Sequence, residues 1–259
     1  MNIHVSKTAN EMGLAAAKFI AEKLNAVIAE KGEARLLLST GASQFEMISE
    51  LIKMPVDFSK VTMFHLDEYV DLPITHIASF RKYLQERFVD KVNLKEAVFV
   101  NGEGNVEENI AYITKRIKEA PIDVGAIGIG ENAHIAFNDP PADFDTEFSY
   151  KVVDLDDRCK MQQVGEGWFA TIDDVPKQAV SMTVYQILKC EKIVSCVPYA
   201  VKADAVQKTL ENDKTNLIPA TIMKGHDDFA LFVDEDSFSK VDESKIRPAE
   251  GKSYTITRA

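Results

Sequence analysis

The sequence predicts an α/β protein with a doubly wound, mostly parallel sheet that carries helices on both faces. Short apolar runs rich in β-branched residues, typical of buried strands, alternate with longer stretches in which apolar residues recur at helical spacing. No internal repeat is evident, and no linker rich in Gly, Ser or Pro divides the chain. We therefore expect residues 1–259 to form a single α/β domain.

In the first half of the chain, the first helix has the clearest boundaries. Thr8 and Glu11 have the spacing of a capping box, apolar residues follow at helical spacing, and the helix is expected to end near Gly32. Further helices are expected around residues 45–51, 79–88 and 106–119. Strands are expected at residues 3–5, 35–39, 61–66 and 98–100, the first at a sheet edge and the second in the sheet centre.

The second half continues the alternation. Strands are expected in the apolar run that begins at residue 123 and at residues 152–155, 192–197 and 230–233, the last closing the main sheet. Helices are expected at residues 184–188 and 202–211. Residues 156–176 form a polar, glycine-containing segment with no assigned element, and the charged tail after Asp234 holds a weak strand at residues 253–256.

Composition limits the classes of partner. Hydrophobic residues make up 46% and charged residues 27% of the chain, as in ordinary soluble proteins, and the net charge of −11 argues against nucleic acid or an anionic membrane as the main partner. Cys159, Cys190 and Cys196 are odd in number and form no CxxC pair, which favours a reducing compartment over a disulfide framework or a zinc site. No secretory or membrane-spanning segment is evident, so we expect a cytoplasmic protein.

The stretch from Asp123 to Pro141 is the richest candidate for a catalytic site. An apolar strand thinned by glycines is followed by the polar side chains of Glu131, Asn132, His134 and Asp139. Ligands of open α/β sheets bind outside the carboxyl ends of strands, where these side chains would lie. A polar loop with one solvated histidine would leave the same pattern, and the residues alone do not separate the two interpretations.

A second candidate is the turn after the strand at residues 35–39. Thr40, Gly41, Ala42 and Ser43 join this strand to a helix, and the free N–H groups of a helix N-terminus together with two hydroxyls suit an anion. No Gly-Lys-Ser/Thr follows, so the turn is not a Walker A loop. An ordinary strand-to-helix turn is the alternative interpretation.

Three charged residues complete the candidates. Asp67 and Glu68 follow a strand, where a shielded carboxylate could act as a general base, although Asp67 could equally be a helix N-cap. Lys202 begins a helix, where a cation is unfavourable unless an anion binds nearby. A solvated surface lysine is the alternative interpretation.

One motif points to another class of enzyme. Gly128 to Ala133 fits the dinucleotide pattern G-x-G-x-x-A, and Asp154 follows about 20 residues later. That pattern requires a long helix at the turn, whereas Pro140 and Pro141 would cut any helix to little more than one turn. A nicotinamide or flavin enzyme is therefore the less favoured hypothesis.

Taken together, these motifs resemble the glucosamine-6-phosphate deaminase (isomerase) family, whose superfamily also holds the 6-phosphogluconolactonases. The resemblance covers the chain from the first helix to the strand at Ala230. Its anchors are Ser39-Thr40-Gly41, Leu66-Asp67-Glu68-Tyr69-Val70 with Leu72-Pro73, and Gly128-Ile129-Gly130-Glu131-Asn132-Ala133-His134-Ile135-Ala136-Phe137-Asn138. The residues after His134 favour the deaminase branch over the lactonases.

The resemblance implies a modified doubly wound fold and an enzyme that opens an amino-sugar phosphate ring before isomerising it. Asp67 would move a proton between C2 and C1, His134 would assist ring opening, and Asn132 and Asp139 would orient the histidine. The substrate would be held by the turn at Thr40, Gly41, Ala42 and Ser43 and by Lys202, with Lys202 at the phosphate. No metal or organic cofactor is implied, the expected partner is a small phosphorylated sugar, and a homo-oligomer stays open.

The chain departs from the family pattern at several positions. Asp139 stands where glutamate is usual, Ala133 where glycine is usual, and Gln44 where proline is common. The family's phosphate-binding arginine has no counterpart in residues 161–168, and Arg158 or Lys160 could substitute for it. A 6-phosphogluconolactonase-like hydrolase, or a sugar-phosphate sensor without turnover, is therefore kept as an alternative.

Overall fold

The computed structural model describes residues 1–258 and contains a central sheet of eight strands. In spatial order the strands are β11 (Thr255–Arg258), β1 (Asn2–Ser6), β10 (Phe229–Asp234), β9 (Lys192–Val197), β6 (Val124–Ala126), β2 (Ala34–Leu38), β3 (Val61–His65) and β5 (Glu96–Val98). Every neighbouring pair in this sheet is parallel. The predicted α/β fold with a mostly parallel sheet is confirmed.

The helices lie between these strands in the chain. They are α1 (Ala9–Lys31), α2 (Phe45–Leu51), α3 (Phe80–Arg87), α4 (Val106–Ile117), α5 (Asp157–Gly165), α6 (Val184–Ile187), α7 (Ala203–Glu211) and α8 (Glu235–Phe238). Helix α1 shows how local sequence sets the boundaries. The Thr8 side chain accepts from the Glu11 N–H, the Glu11 side chain accepts in return, and Gly32 ends the helix at a φ of 83°.

Strand β2 explains why both faces of the sheet carry helices. Leu36 and Leu38 point into a core shared with α1, α2 and α3, whereas Leu37 points into the opposite core with α4, α6 and α7. All three leucines are fully buried, and each stabilises the fold by roughly 1.5–3 kcal/mol. A strand covered on both faces reads as a continuous apolar run, which is why it could be predicted.

A second, antiparallel sheet was not predicted. It consists of β4 (Asp67–Tyr69), β8 (Gln178–Met182) and β7 (Tyr150–Asp154), in that order. The Met182 N–H donates to the Leu66 carbonyl at 2.9 Å and ties this small sheet to the end of β3. Because β4 continues directly from β3, Asp67 lies in a strand and is not a helix N-cap.

Two further expectations were wrong. Strand β1 is not at the edge of the sheet and β10 is not the last strand, because β11 from the tail pairs with the outer side of β1. Residues 156–176 contain helix α5, whose N-cap Asp156 accepts from the Cys159 N–H. Helix α5 could not be predicted because its composition is polar. Cys159 and Gln163 are its buried residues, and two such residues give almost no helical periodicity of apolar side chains.

Within residues 1–258 no helix is long and apolar enough to cross a bilayer. Cys159, Cys190 and Cys196 are free and buried.

Candidate active site

A cleft lies at the carboxyl ends of β2, β3, β6 and β9. Its lining includes the predicted site residues Thr40, Gly41, Ala42, Ser43, Asp67, His134 and Lys202, which come from four separate strand ends. Asn132 and Asp139 lie beside the lining and contact His134. The cleft and its open mouth enclose about 820 Å³. Parallel strands bring these residues to one edge of the sheet, as the switch-point rule for open sheets requires.

Glu68 is the structural member of the adjacent carboxylate pair. It is fully buried and accepts hydrogen bonds from the N–H groups of Tyr69, Phe80 and Arg81, from the Ser79 hydroxyl and from the Arg81 guanidinium. Every oxygen of this carboxylate is therefore engaged in holding β4 to α3. Glu68 is left with no free position for a substrate.

Asp67 is the free member of the pair. Its side chain faces the cleft, although only 6% of the residue is exposed. Burial, reinforced by the nearby charge of Glu68, raises the pKa of Asp67 to about 8. A carboxylate with a pKa near neutrality can both take and return a proton at physiological pH.

His134 is fixed by its neighbours along the loop. Its Nδ1 lies 2.8 Å from Oδ1 of Asp139, and the same oxygen accepts from the Asn132 amide at 2.9 Å. The Asn132 side-chain oxygen in turn accepts from the backbone N–H of His134 at 3.0 Å. With Nδ1 held by Asp139, Nε2 is the ring nitrogen available to a ligand.

Asp139 is a carboxylate kept ionised against its surroundings. Burial opposes the charge, but the contacts with His134, Asn132 and Cys159 outweigh it and hold the pKa of Asp139 below its usual value. An ionised partner stabilises a protonated imidazole and sets its orientation. Although its side chain is one methylene shorter than that of a glutamate, Asp139 reaches Nδ1 of His134 at 2.8 Å.

The loop that carries His134 has an unusual backbone on both sides of the histidine. Ala133 has a φ of 66° and Ala136 a φ of 50°, in the left-handed region that glycine favours. The Gly130 N–H donates to the His134 carbonyl at 2.9 Å, and the Ala133 N–H donates to the Gly130 carbonyl at 2.9 Å. These bonds close a tight turn that places the imidazole against Gly130.

Gly130→Ala is expected to lower turnover at least 100-fold without unfolding the protein. A Cβ at this position would overlap Nε2, Cε1 and Cδ2 of His134, so the ring would have to leave its place. The measurement is kcat of purified protein together with its thermal midpoint. Gly165→Ala is the control, because a Cβ there meets open space. Unchanged kcat in Gly130→Ala would show that the ring position does not matter.

The turn at residues 40–43, called the anion turn below, presents donors to the cleft. Gly41 has a φ of 103°, which a residue with a side chain would adopt only under strain. The Ser43 hydroxyl accepts from the buried Gln44 amide at 2.9 Å, and this leaves its own proton free for a ligand. Gln44 also donates to the Cys196 carbonyl at 3.1 Å and fixes the turn to β9.

Lys202 is a buried cation that faces this turn. It is 6% exposed, and its side chain forms no ion pair or hydrogen bond within residues 1–258. Burial lowers the pKa of Lys202, while the carboxylates of Glu166 and Glu131 oppose that shift. A desolvated lysine without a partner is a strong site for an anion.

Several lining residues were missed from the sequence. Helix α5 and the turn after it bring Gln162, Gln163, Glu166 and Trp168 to the cleft. Tyr199 also lines it, with a φ of 79° and a backbone N–H that donates to the Asp234 carboxylate at 3.0 Å. The family resemblance had marked residues 161–168 as the stretch that lacks the phosphate-binding arginine, but it named none of these four as a lining residue.

Arg158 and Lys160, which were left open as substitutes for the missing arginine, do not line the cleft. Arg158 is exposed. Helix α5 contributes Gln162 and Gln163 to the lining instead. Among the described lining residues, Lys202 is the one lysine or arginine.

The dinucleotide pattern lacks the long helix that it requires, in agreement with the argument from Pro140 and Pro141. No helix follows β6 before β7, since residues 127–149 are irregular and contain the isolated bridge between Ile135 and Asn138. Without a helix N-terminus the glycine turn cannot hold a pyrophosphate in the way that motif requires. In the described part of the chain no group of three or more His, Cys, Asp or Glu side chains could hold a metal ion.

The fold and the cleft define an α/β enzyme of the isomerase and hydrolase type. It combines a buried carboxyl group, a histidine beside an aspartate and a buried lysine facing a glycine-containing turn, all at the carboxyl edge of one parallel sheet. The family model described as glucosamine-6-phosphate isomerases/6-phosphogluconolactonase matches residues 7–231. The chain belongs to this family.

Curated relatives and solved structures agree with this membership. The chain is 36% identical to the glucosamine-6-phosphate deaminase of Streptococcus pyogenes serotype M1 over 82% of this chain and 89% of that one, and 36% identical to the deaminase of Lacticaseibacillus paracasei with the same coverage. A monomeric glucosamine-6-phosphate deaminase superposes with a TM-score of 0.85 at 27% identity, covering 92% of this chain and 99% of that one. The 6-phosphogluconolactonase of Shewanella baltica shares the fold, with a TM-score of 0.74 at 16% identity over 90% of this chain and 98% of that one.

Proposed function

We propose that the protein is an amino-sugar-phosphate isomerase and deaminase that converts glucosamine 6-phosphate and water to fructose 6-phosphate and ammonia. The observation that carries the proposal is the difference between the two adjacent carboxyl groups, Glu68 being fully hydrogen-bonded and Asp67 facing the cleft. One carboxyl group is saturated with hydrogen bonds, while the other faces the cleft with a pKa of about 8. An aldose–ketose shift needs such a base, since the proton leaves C2 and returns to C1.

His134 would open the sugar ring in this mechanism. With Nδ1 held by Asp139, Nε2 can take the proton of the C1 hydroxyl and deliver one to the ring oxygen. Asp67 then removes the C2 proton of the open-chain aldehyde and returns it to C1, while one proton of the C2 ammonium group passes to the C1 oxygen. The product is an imine at C2, and addition of water to it releases ammonia and leaves the ketone.

The phosphate would bind between Lys202 and the turn at Thr40–Ser43. The supporting facts are the buried, unpartnered ammonium of Lys202 and the free proton of the Ser43 hydroxyl. Charged hydrogen bonds of this kind contribute roughly 1.5–3 kcal/mol each to binding. They would fix the sugar with its C1–C2 end toward Asp67 and His134.

We further propose that residues 1–259 act as one catalytic domain. The first strand, β1, and the last, β11, are hydrogen-bonded neighbours in the main sheet, so both ends of the described chain belong to the same layer. The substrate would be the only partner that the chemistry requires. We propose the cytoplasm as the site of action, because the proposed substrate is a phosphorylated metabolite.

The test is the release of ammonia and of fructose 6-phosphate from glucosamine 6-phosphate, with galactosamine 6-phosphate and 6-phosphogluconolactone assayed beside it. We expect stoichiometric release of both products from the glucosamine ester and its loss in His134→Ala. Turnover of the lactone alone would overturn the proposal in favour of a hydrolase. Binding of the amino sugar to folded protein without turnover would overturn it in favour of a sensor.

A further inference from the structure

Tyr199 is a strained residue in the lining of the cleft, in the turn that leads to Lys202. Its φ of 79° and ψ of 145° lie close to a backbone region that only glycine enters freely. A residue with a side chain keeps such a conformation only where its surroundings hold it there. The turn that carries Lys202 therefore depends on the contacts of Tyr199.

Asp234 makes the buried contact with the Tyr199 backbone. It is the last residue of β10, is 2% exposed and accepts from the Tyr199 N–H with both carboxylate oxygens, at 3.1 and 3.0 Å. Oδ1 also accepts from the Ser237 N–H at 2.8 Å and so caps α8. Capping uses Oδ1 alone, whereas Oδ2 bonds to Tyr199. Asp234 is not part of the cleft lining, so its route to the cleft is the backbone of Tyr199.

The same turn holds the backbone of Lys202. The Lys202 N–H donates to the Tyr199 carbonyl at 2.9 Å, so the two peptide groups of Tyr199 are bonded to Asp234 on one side and to Lys202 on the other. Helix α8, which Asp234 caps, also packs against the turn at Ala200–Lys202. A displaced turn would carry the buried ammonium group away from the anion turn, and a charged hydrogen bond requires a short distance.

The Tyr199 side chain links this turn to the opposite side of the cleft. Its hydroxyl donates to Oε1 of Glu46 at 2.6 Å, and Glu46 lies on α2, the helix that follows the anion turn. Oε2 of Glu46 is buried and has no hydrogen-bond partner within residues 1–258. Tyr199 is therefore bonded to both halves of the proposed phosphate site, the anion turn through Glu46 and the lysine turn through its own backbone.

We propose that Asp234 is a positioning residue of the phosphate site, which holds the strained backbone of Tyr199 so that the Lys202 ammonium group faces the anion turn. The inference rests on the proposed function, because that function places the phosphate between Lys202 and the anion turn. Asp234 itself does not touch the substrate. Its loss weakens phosphate binding by releasing the turn, although the charge of Lys202 is still present.

The test separates the two bonds of Asp234. Asp234→Ser keeps a capping hydroxyl for α8, but its shorter side chain gives up the bond to the Tyr199 N–H, whereas Asp234→Asn keeps an oxygen for both N–H groups. Glucitol 6-phosphate, which cannot isomerise, is titrated calorimetrically into each full-length variant. We expect the dissociation constant to rise about fivefold in Asp234→Ser and to stay within about twofold of the wild type in Asp234→Asn.

A double variant shows whether Asp234 acts through the lysine. Lys202→Met alone is expected to raise the dissociation constant of glucitol 6-phosphate about tenfold, because it removes a charged hydrogen bond. Adding Asp234→Ser to Lys202→Met is expected to change that constant by less than about twofold, since residues that act as a unit are not additive. A full effect of Asp234→Ser in the protein that lacks Lys202 would overturn the inference.

Asp242→Ser is the matched control. Asp242 also accepts from a backbone N–H, that of Ser244 at 3.1 Å, but it lies outside the cleft lining, and its exchange is expected to leave binding unchanged. Asp234→Thr, which also caps α8, replaces the serine variant if that protein does not fold, as judged by the thermal midpoint. Unchanged binding in the folded Asp234 variant, with binding weakened in Lys202→Met, overturns the inference and leaves the proposed function standing. Wild-type binding in Lys202→Met overturns the phosphate placement of the proposed function, and the inference with it.

Discussion

Asp67→Asn is expected to lower kcat by about 10³-fold, since positioned general bases contribute 10²- to 10⁴-fold. The amide keeps the shape of the side chain and cannot take a proton from C2. KM is expected to change little, because Lys202 and the anion turn are untouched. Steady-state release of ammonia measures both constants, and an Asp67→Asn protein with wild-type kcat would remove Asp67 from the mechanism.

The pH dependence gives the same prediction an independent check. The pKa of Asp67 is raised to about 8 by burial and by Glu68, and the base must be ionised to act. The wild-type kcat/KM is therefore expected to rise with pH and to level off above about 8, since this constant reports the free enzyme. A profile already level at pH 6 would contradict the assignment.

The thermal midpoint of Asp67→Asn shows whether this variant has folded. A carboxyl group whose folded pKa lies above its unfolded value binds more protons in the folded state, so its contribution to stability falls as pH rises from about 4 to about 8. Asparagine has no charge to bury and avoids this loss. We expect the thermal midpoint of Asp67→Asn at pH 8 to equal or exceed that of the wild type, while activity is lost.

Glu68→Gln is expected to act on stability in the opposite direction. It removes the buried carboxylate partner of the Arg81 guanidinium, and it replaces one of the two carboxylate oxygens that accept from backbone N–H groups with an amide NH₂. Removing one partner of a buried ion pair typically costs about 3–5 kcal/mol, which corresponds to a fall in thermal midpoint on the order of 10 °C for a chain of this size. Differential scanning calorimetry measures it.

Glu103→Gln is the matched control for Glu68. Glu103 also contacts Arg81, at 2.7 Å, but its side chain is 41% exposed, so its loss is expected to cost less than about 1 kcal/mol. The Glu68 variant carries a second signature. Because the charge of Glu68 helps to raise the pKa of Asp67, its removal is expected to move the rise of kcat/KM to lower pH. Equal thermal midpoints for both variants would contradict the structural role of Glu68.

Features set by neighbours in the chain were predicted from the sequence. Helix α1 begins at Thr8 and ends at Gly32, because capping bonds and a left-handed glycine are properties of a few adjacent residues. The apolar run of β2 predicted a strand buried on both faces, which the two cores confirm. The loop from Glu131 to Asp139 was singled out by its own polar groups and glycines.

Features set by contacts between distant segments needed the tertiary structure. The tail strand β11 is recognisable as part of the main sheet only through its pairing with β1, about 250 residues away in the chain. Helix α5 has too few buried residues to show a period, so Glu166 and its partners in the cleft could not be placed. The family resemblance marked residues 161–168 as the stretch without the arginine, but not which of these side chains line the cleft.

The adjacent pair Asp67 and Glu68 combines a feature that is predictable from the sequence with one that depends on the tertiary structure. It could be predicted from the sequence that two carboxyl groups follow β3, at the edge of the sheet where ligands of open α/β sheets bind. Which of them is free for chemistry was decided by the alternation of β4, which turns Glu68 toward the N–H groups of α3 and Asp67 toward the cleft. Hydrogen bonding and burial are properties of the assembled fold. The sequence alone therefore does not show which of the two carboxyl groups is hydrogen-bonded and which is buried without such partners.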